Sequence, residues 1–433
     1  MASRLPAQHP ERLKLSLELH ARPFPELGAP CRAIHLALKA PKNAADRDPE
    51  VDRAHLRALL DRFGAAHPAP HADHYVGALG RVTLKWERHT EFVTYTLFAE
   101  GVADQPFDGS TFALFPQDWL AQAPGAVIAA SLVRIESHPD PDTAEARLTD
   151  GLERYFVRES FAASHVADGQ AVAGSDFRIH EDGMSRFVVL ALPGLGSRRL
   201  GRSVQRLLEI ETYRAMSMLA LPIARDAIRR LAEIDRDLAE LMRGIAEESG
   251  SERETLDVLT RKSAEIERMA TDAAFRFGAA RAYEAIVNDR IENLRESRLG
   301  GRQTIGEFMR RRYDPAMRTA KAAERRMEEL STRAARIADL LRTRVDVQMS
   351  VQNQGLLESM NRRADLQLRL QKTVEGLSVV AISYYAVGLL GNLLEPAAAA
   401  TAFSKVQLTA LITPLVVLAV WGFVRRLRKE LEH

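Results

Sequence analysis

Two stretches decide how this chain is organised: Leu377–Leu394, LSVVAISYYAVGLLGNLL, and Val406–Val424, VQLTALITPLVVLAVWGFV. They are 18 and 19 residues long and contain no Asp, Glu, Lys or Arg. A bilayer core takes about 20 apolar helical residues. Each stretch can therefore cross a membrane with little tilt. Eleven residues, Glu395–Lys405, separate them, with the helix-breaking Pro396 near the start. The expected structure is a transmembrane hairpin. A pair of buried core helices has the same length, and the flanking charge distinguishes the two. Arg362, Arg363, Arg369 and Lys372 precede the first stretch; Arg425, Arg426, Arg428 and Lys429 follow the second. Positive residues resist translocation, so both chain ends are expected in the cytoplasm and only the short loop beyond the bilayer. Tyr384 and Tyr385 fall mid-span, so at least one is expected to face another helix.

Upstream of the spans, helical periodicity covers residues 303–372, restarted once at Asp314-Pro315. Asp as N-cap followed by Pro at the first helical position is a helix start. Met327, Leu330, Ala334, Ile337 and Leu341 step by three and four, the spacing of a coiled coil. Between Arg342 and Gly355 the apolar pattern thins, and Gln348, Gln352 and Asn353 become candidates to line a wet axis. At 1.5 Å per residue a helix from Pro315 to Lys372 would be on the order of 90 Å long. Two further long amphipathic helices, 203–244 and 251–299, are expected to pair as a hairpin or bundle, the first kinked or ended at Pro222.

The N-terminal part reads differently. Cys31–Ala40 alternates like a half-buried strand, and Asp48-Pro49 opens a helix to about Phe63 with Leu56, Leu59, Leu60 and Phe63 on one face. Gly80–Thr90 and Glu91–Glu100 form a predicted hairpin, and Val127–Ser137 another strand. A helix is expected over 142–156. Three more strands are expected over 161–192, joined by turns at Asp168-Gly169 and Asp182-Gly183. The fold class is an α+β cytoplasmic domain followed by a helical stalk and a two-helix C-terminal membrane hairpin. Expected boundaries are 1–200 for the α+β domain, 201–300 for a helical hairpin, 301–373 for the stalk and 374–433 for the spans with a basic tail.

Composition narrows the function. The 433 residues carry a net charge of +2, and 27% are charged with the signs nearly balanced. No Lys/Arg block or RNA-binding motif points to nucleic acid. A single cysteine, Cys31, excludes an internal disulfide framework. The N-terminus has no apolar run that would read as a cleavable signal. No phosphate-binding glycine loop, nucleophile elbow or HExxH motif is present, so neither catalysis nor a cofactor is expected. His67, His71 and His74 have a spacing that could hold zinc, against the alternative of solvated histidines in a Pro-broken loop.

Three segments carry a resemblance. They are His20-Ala21-Arg22-Pro23-Phe24, Glu211–Met216 with Leu219–Pro222, and Met360–Gln371 before Val374–Ser378. Together they resemble a bacterial family of uncharacterised membrane-anchored proteins, a domain of unknown function, over almost the whole chain. The resemblance implies anchoring in the bacterial inner membrane and brings no catalytic residues. The layout is also similar to CorA-type magnesium channels, in which a Gly-Met-Asn triplet ends the first span. Here that span ends Leu390-Gly391-Asn392-Leu393-Leu394-Glu395, so Gly391, Asn392 and Glu395 are the candidate pore residues, with a different Gly-to-Asn spacing. Two spans cannot enclose a pore alone, so conduction of a divalent cation would need a homo-oligomer. The leading expectation is a membrane-anchored oligomeric scaffold without catalysis. The alternative is a CorA-like divalent-cation channel.

Overall fold

The computed structural model describes residues 8–18, 24–40, 47–110, 112–247, 252–393 and 405–431. Contacts divide the chain into two units, Met1–Arg336 and Ile337–His433.

The first unit has, in chain order, α1 (Arg12–Glu18), β1 (Cys31–Lys39), α2 (Pro49–Arg62), β2 (His74–Leu79), β3 (Val82–Arg88) and β4 (Phe92–Glu100). Then come α3 (Gln117–Leu120), β5 (Ala126–Ser137), α4 (Pro141–Ala146), β6 (Ala162–Val166), β7 (Ala171–Ser175) and β8 (Ser185–Ala191). The helices α5 (Ser197–Met218), α6 (Ala220–Ala246) and α7 (Glu252–Asn293) follow, then β9 (Ser297–Arg298), α8 (Ile305–Arg312) and α9 (Asp314–Leu393).

The nine strands form one sheet in the order β2-β3-β4-β1-β5-β8-β7-β6-β9. Every neighbouring pair is antiparallel except β5 and β8. The two halves share a connectivity. Each starts with a strand (β1 or β5), passes through a helix (α2 or α4), and returns as a three-strand meander whose last strand lies beside the first. They differ in direction: β4 returns antiparallel to β1, whereas β8 returns parallel to β5.

β1 is an interior strand and, rather than half-buried as its alternation suggests, it is buried on both faces from Ala33 to Leu38. One face, with Ile34, Leu36 and Leu38, packs with Leu56, Leu59 and Leu60 of α2 around Trp86, Tyr95 and Trp119. Full burial of each such leucine contributes roughly 1.5–3 kcal/mol. α2 starts as expected, with Asp48 as N-cap accepting from the Glu50 N–H at 2.9 Å and Pro49 in the first turn. The opposite face, with Cys31 and Ala33, packs under Leu200, Val204 and Leu207 of α5.

That second packing brings α5 into the sheet's own core. The divisions near 200 and 300 fall inside the first unit. α5, the end of α7, α8 and Tyr313 all contribute to the same apolar cluster as the sheet. The amphipathic face of α5 is satisfied by strands rather than by another helix alone. Other expectations shift locally. The helix expected over 142–156 is α4, a wider π-helical stretch Arg147–Leu152 and a 3-10 turn Glu153–Tyr155. β2 was not expected, because HYVGAL at the sheet edge is short and interrupted by Gly77. The first long helix breaks at Leu219, three residues before Pro222. The helix expected from Gln303 is two: α8, opened by a capping box between Thr304 and Glu307, and α9. At the Asp168-Gly169 turn both residues are left-handed, with φ of 57° and 80°.

The second unit contains the rest of α9 and α10 (Lys405–Leu431), which holds Pro414 within it. Two helical stretches among the described residues, Ile305–Leu393 (α8 running into α9) and Val406–Arg426 within α10, are long and apolar enough to cross a membrane, with mean hydropathy of 1.5 and 2.0 over their most apolar 18 residues. Ser383 on α9 and Val416 on α10 are buried, and a Cβ at Gly391 would lie 3.7 Å from Thr409 Oγ1.

Candidate functional site

Strand register assembles a row of polar residues across the middle of the sheet. Lys85 on β3 lies opposite Thr96 on β4, and Thr96 opposite His35 on β1. His35 lies opposite Ser131 on β5, and Ser131 opposite Ser185 on β8. Directly opposed residues share a face, so five strands contribute one side chain each to a continuous polar line. All five are buried. The line runs beneath α5, where Gln205, Leu208 and Thr212, spaced three and four apart, face the sheet.

The hydrogen bonds fix the protonation of His35. Thr212 Oγ1 donates to the Leu208 carbonyl at 2.9 Å. A hydroxyl has one proton, so Thr212 accepts from His35 Nε2 at 3.0 Å. The other ring nitrogen, Nδ1, then accepts from Thr96 Oγ1 at 2.8 Å. The imidazole is neutral with its proton on Nε2. Burial, with Lys85 adding to it, lowers its pKa from 6.5 to about 3. Farther along the row the Ser131 and Ser185 hydroxyls are 2.8 Å apart.

Lys85 starts a second chain of contacts. Its ammonium donates to Gln205 Oε1 at 2.6 Å and lies 3.1 Å from Glu87. Gln205 Nε2 donates to Glu209 at 2.7 Å, and Arg290 Nε of α7 donates to the other Glu209 oxygen at 2.5 Å. At the end of β4, buried Glu91 accepts from Arg276 at 2.5 Å and from the Tyr283 hydroxyl at 3.0 Å, both on α7. Burial, then Glu91, push the Tyr283 phenol up. Phe92, Tyr213 and Tyr283 pack edge-on and stacked beside this pair. Among these groups is a space of about 30 Å³, lined by His35, Lys85, His89, Thr96, Gln205 and Tyr213 among others. That holds one or two waters. Strand to α5 to α7, the arrangement is a polar lock whose charges face partners.

The residues singled out from sequence lie elsewhere. Gly391 is half-buried where α10 comes close, and Asn392 is exposed. Glu395 lies outside the described residues, as do His20–Pro23 of the His-Ala-Arg-Pro box. Gln348, Gln352 and Asn353 are exposed on α9. Gln348 and Gln352 share a helix face, whereas Asn353 is about 100° further round. The three histidines do not converge. His67 Nε2 bonds Asp61 at 2.7 Å. His71 adopts φ 66°, its carbonyl accepting from Arg53 at 3.3 Å, and His74 begins β2. The neighbouring Asp73 is engaged by Arg88 and Arg53 at 2.8 and 3.3 Å. Among the described residues no group of three or more His, Cys, Asp or Glu side chains is placed to hold a metal.

Sequence reading passed over the polar row because its members are far apart in the chain. The signal was nonetheless present: the histidine inside CRAIHLALK lies between apolar residues, and the lysine inside VTLKWER lies between Leu84 and Trp86.

A comparison with curated proteins finds no match. The family model described as "Protein of unknown function (DUF3422)" matches residues 7–431, nearly the whole chain. The sheet, the long helices and both apolar C-terminal segments all fall within that match, and the chain belongs to the DUF3422 family.

Proposed function

We propose that the protein is a membrane-anchored, oligomeric assembly module. Its two C-terminal apolar helices insert as a hairpin, and its sheet domain is held on the cytoplasmic side of a bacterial inner membrane. One observation carries the reading. Only 6% of the most apolar 18-residue window of each helix is buried within the chain. A core helix of that composition would be covered by its own fold. Leu377, Val380, Leu389, Leu411, Leu415 and Leu418 are exposed instead, a surface that water does not tolerate over such length. The basic clusters at both ends support a hairpin with its termini on the cytoplasmic side.

The space under α5 is too small for a substrate or cofactor. Substrate and cofactor pockets commonly measure about 300–1,000 Å³, ten times or more the roughly 30 Å³ found there. The polar row reads as an internal lock of sheet to helix.

The test is membrane fractionation with topology mapping. The full chain should remain in the membrane pellet after an alkaline wash and be released by detergent, and truncation after Thr373 should release it. Cys31 is buried, and burial raises its thiol pKa to about 12, so it offers little background reaction. An impermeant maleimide applied to intact cells should label Ala399→Cys and leave His433→Cys untouched. A full-length chain recovered in the alkaline supernatant would overturn the anchor. Labelling of His433→Cys would overturn the topology.

A further inference from the structure

α9 carries two apolar stripes, and the second has no partner among the described residues. The first is buried: Ala323, Met327, Leu330, Ala334, Ile337 and Leu341, stepping by four and three. Continued at that spacing it would meet Arg344, Gln348, Val351, Gly355, Glu358 and Arg362, a mostly polar face. The apolar residues reappear on another face, about 150° round the helix at 100° per residue, beginning at Met349. A stripe that shifts round one unbroken helix has changed its partner.

The new stripe keeps a strict four-three step from Met349 to Val374. With Asn353 set at position a, Leu356 and Leu370 fall at d, and Met360 and Val374 at a. Every residue from 346 to 374 is exposed. The charges are segregated. Of the six charged residues between 349 and 374, five (Glu358, Arg362, Asp365, Arg369 and Lys372) fall at c or f on the outer face. Arg363, at d, is the exception. Positions e and g hold no charge at all, and Leu357 and Leu366 widen the apolar face there. An isolated solvated helix has no reason to gather five of six charges on one side.

The same face runs on into the first apolar segment as Leu377, Ala381, Tyr384 and Gly388, all exposed. The buried Ser383 lies on another side of that segment. The small residues Ala381 and Gly388 permit close approach of helices in a bilayer.

We propose that residues 349–388 of α9 form a self-association seam, whose partner is the same segment of further copies of this chain, parallel and in register. Three arguments select a second copy. The repeat is that of a seam between like helices. The membrane hairpin, on which this inference rests, holds all copies in the same orientation. Asn353 and Gln367, both at a, pair best with themselves and set the register, as single polar a residues do. Arg363 lies along the seam with its head reaching the rim and weakens the assembly.

Cysteine crosslinking of the full chain in native membranes tests it. Leu356→Cys and Met360→Cys should each crosslink to themselves, while Arg362→Cys and Asp365→Cys should do so at least tenfold less. Uniform crosslinking, or crosslinking strongest at Asp365→Cys, overturns the seam. A second measurement is particle mass in detergent. Leu356→Glu with Leu370→Glu should reduce the assembly to monomers, and Val351→Glu with Leu368→Glu, at f and b, should leave it intact. Arg363→Leu should tighten it by about tenfold or more. A monomeric wild type, equal loss in both pairs, or weaker assembly in Arg363→Leu would each count against the proposal. Alkaline extraction of the same variants separates the two readings. A chain washed from the membrane that still crosslinks at Met360→Cys removes the anchor alone. A chain retained there without crosslinking removes the seam alone.

Discussion

His35 Nε2 donates to Thr212 Oγ1 at 3.0 Å, joining the middle of β1 to α5 across 177 residues of sequence. Both side chains are buried, so neither nitrogen nor hydroxyl has water to turn to. The bond is the centre of a directed chain from Thr96 through His35 and Thr212 to the Leu208 carbonyl.

Thr212→Val keeps the shape but strands the His35 N–H. A buried donor left without a partner costs about 1–3 kcal/mol. Thermal denaturation of the detergent-solubilised chain should show a lower midpoint, with Thr212→Ser retaining most of the wild-type value. Equal midpoints for Thr212→Val and wild type would mean the bond is not maintained in solution.

The protonation of His35 adds a pH dependence. Its folded pKa, about 3, lies below the unfolded value of 6.5. Between these values the unfolded chain binds the extra proton, so stability rises with pH across that window and is level above it. His35→Gln should flatten the part of the curve between pH 6.5 and 4.5, whatever its effect on the plateau. A wild-type slope unchanged by the substitution would assign the acid limb to other groups.

Glu136 governs a lower window. Burial raises its pKa, but hydrogen bonds from Arg147 and Arg134 outweigh that and hold it at about 2 against an ordinary 4.5. Its stabilising contribution is present above pH 4.5 and is lost as pH falls toward 2. Glu136→Gln leaves Arg134, itself buried, without its ion partner. The expected loss at pH 7 is about 3 kcal/mol, fading in acid, as chemical denaturation at pH 7 and pH 3 would reveal.

α5 passes so close to the segment before β1 that one position has no room for a side chain. A Cβ at Gly201 would lie 1.7 Å from the Pro25 carbonyl oxygen. Backbone must move to admit it, which costs about 1–3 kcal/mol or more. Gly201→Ala should lower the thermal midpoint, while Gly196→Ala, where no atom lies within 4 Å, should not.

Glu296 holds the end of α7 to the start of α8. Its two oxygens accept from the Ile305 and Gly306 N–H groups at 3.0 and 2.7 Å, and from Ser164 at 2.9 Å on β6. A carboxylate at a helix N-terminus also meets the favourable end of the dipole. Glu296→Ala should destabilise by about 2 kcal/mol and speed amide exchange at Ile305 and Gly306 specifically.

Much of the architecture follows from local chemistry alone. The Asp48-Pro49 start of α2 and the turn at Asp168-Gly169 are each determined by a few adjacent residues; at Asp314-Pro315 a helix does restart, but Asp314 is its first helical residue rather than its cap. The two charge-free C-terminal segments are legible because the bilayer criterion needs only length and composition. The alternation of Cys31–Lys39 identifies a strand for the same reason: period two is a property of one segment. The polar row is different in kind. Lys85, Thr96, His35, Ser131 and Ser185 come from five separate strands, and nothing local says that they meet. Strand order and register decide that, and a slip of one residue would turn His35 to the α2 face. The same holds for α5, whose amphipathic face fits a helical partner or a sheet equally well. Only the assembled core shows that it covers the sheet, and only the burial of each residue along α9 shows where a buried apolar stripe ends and an exposed one begins.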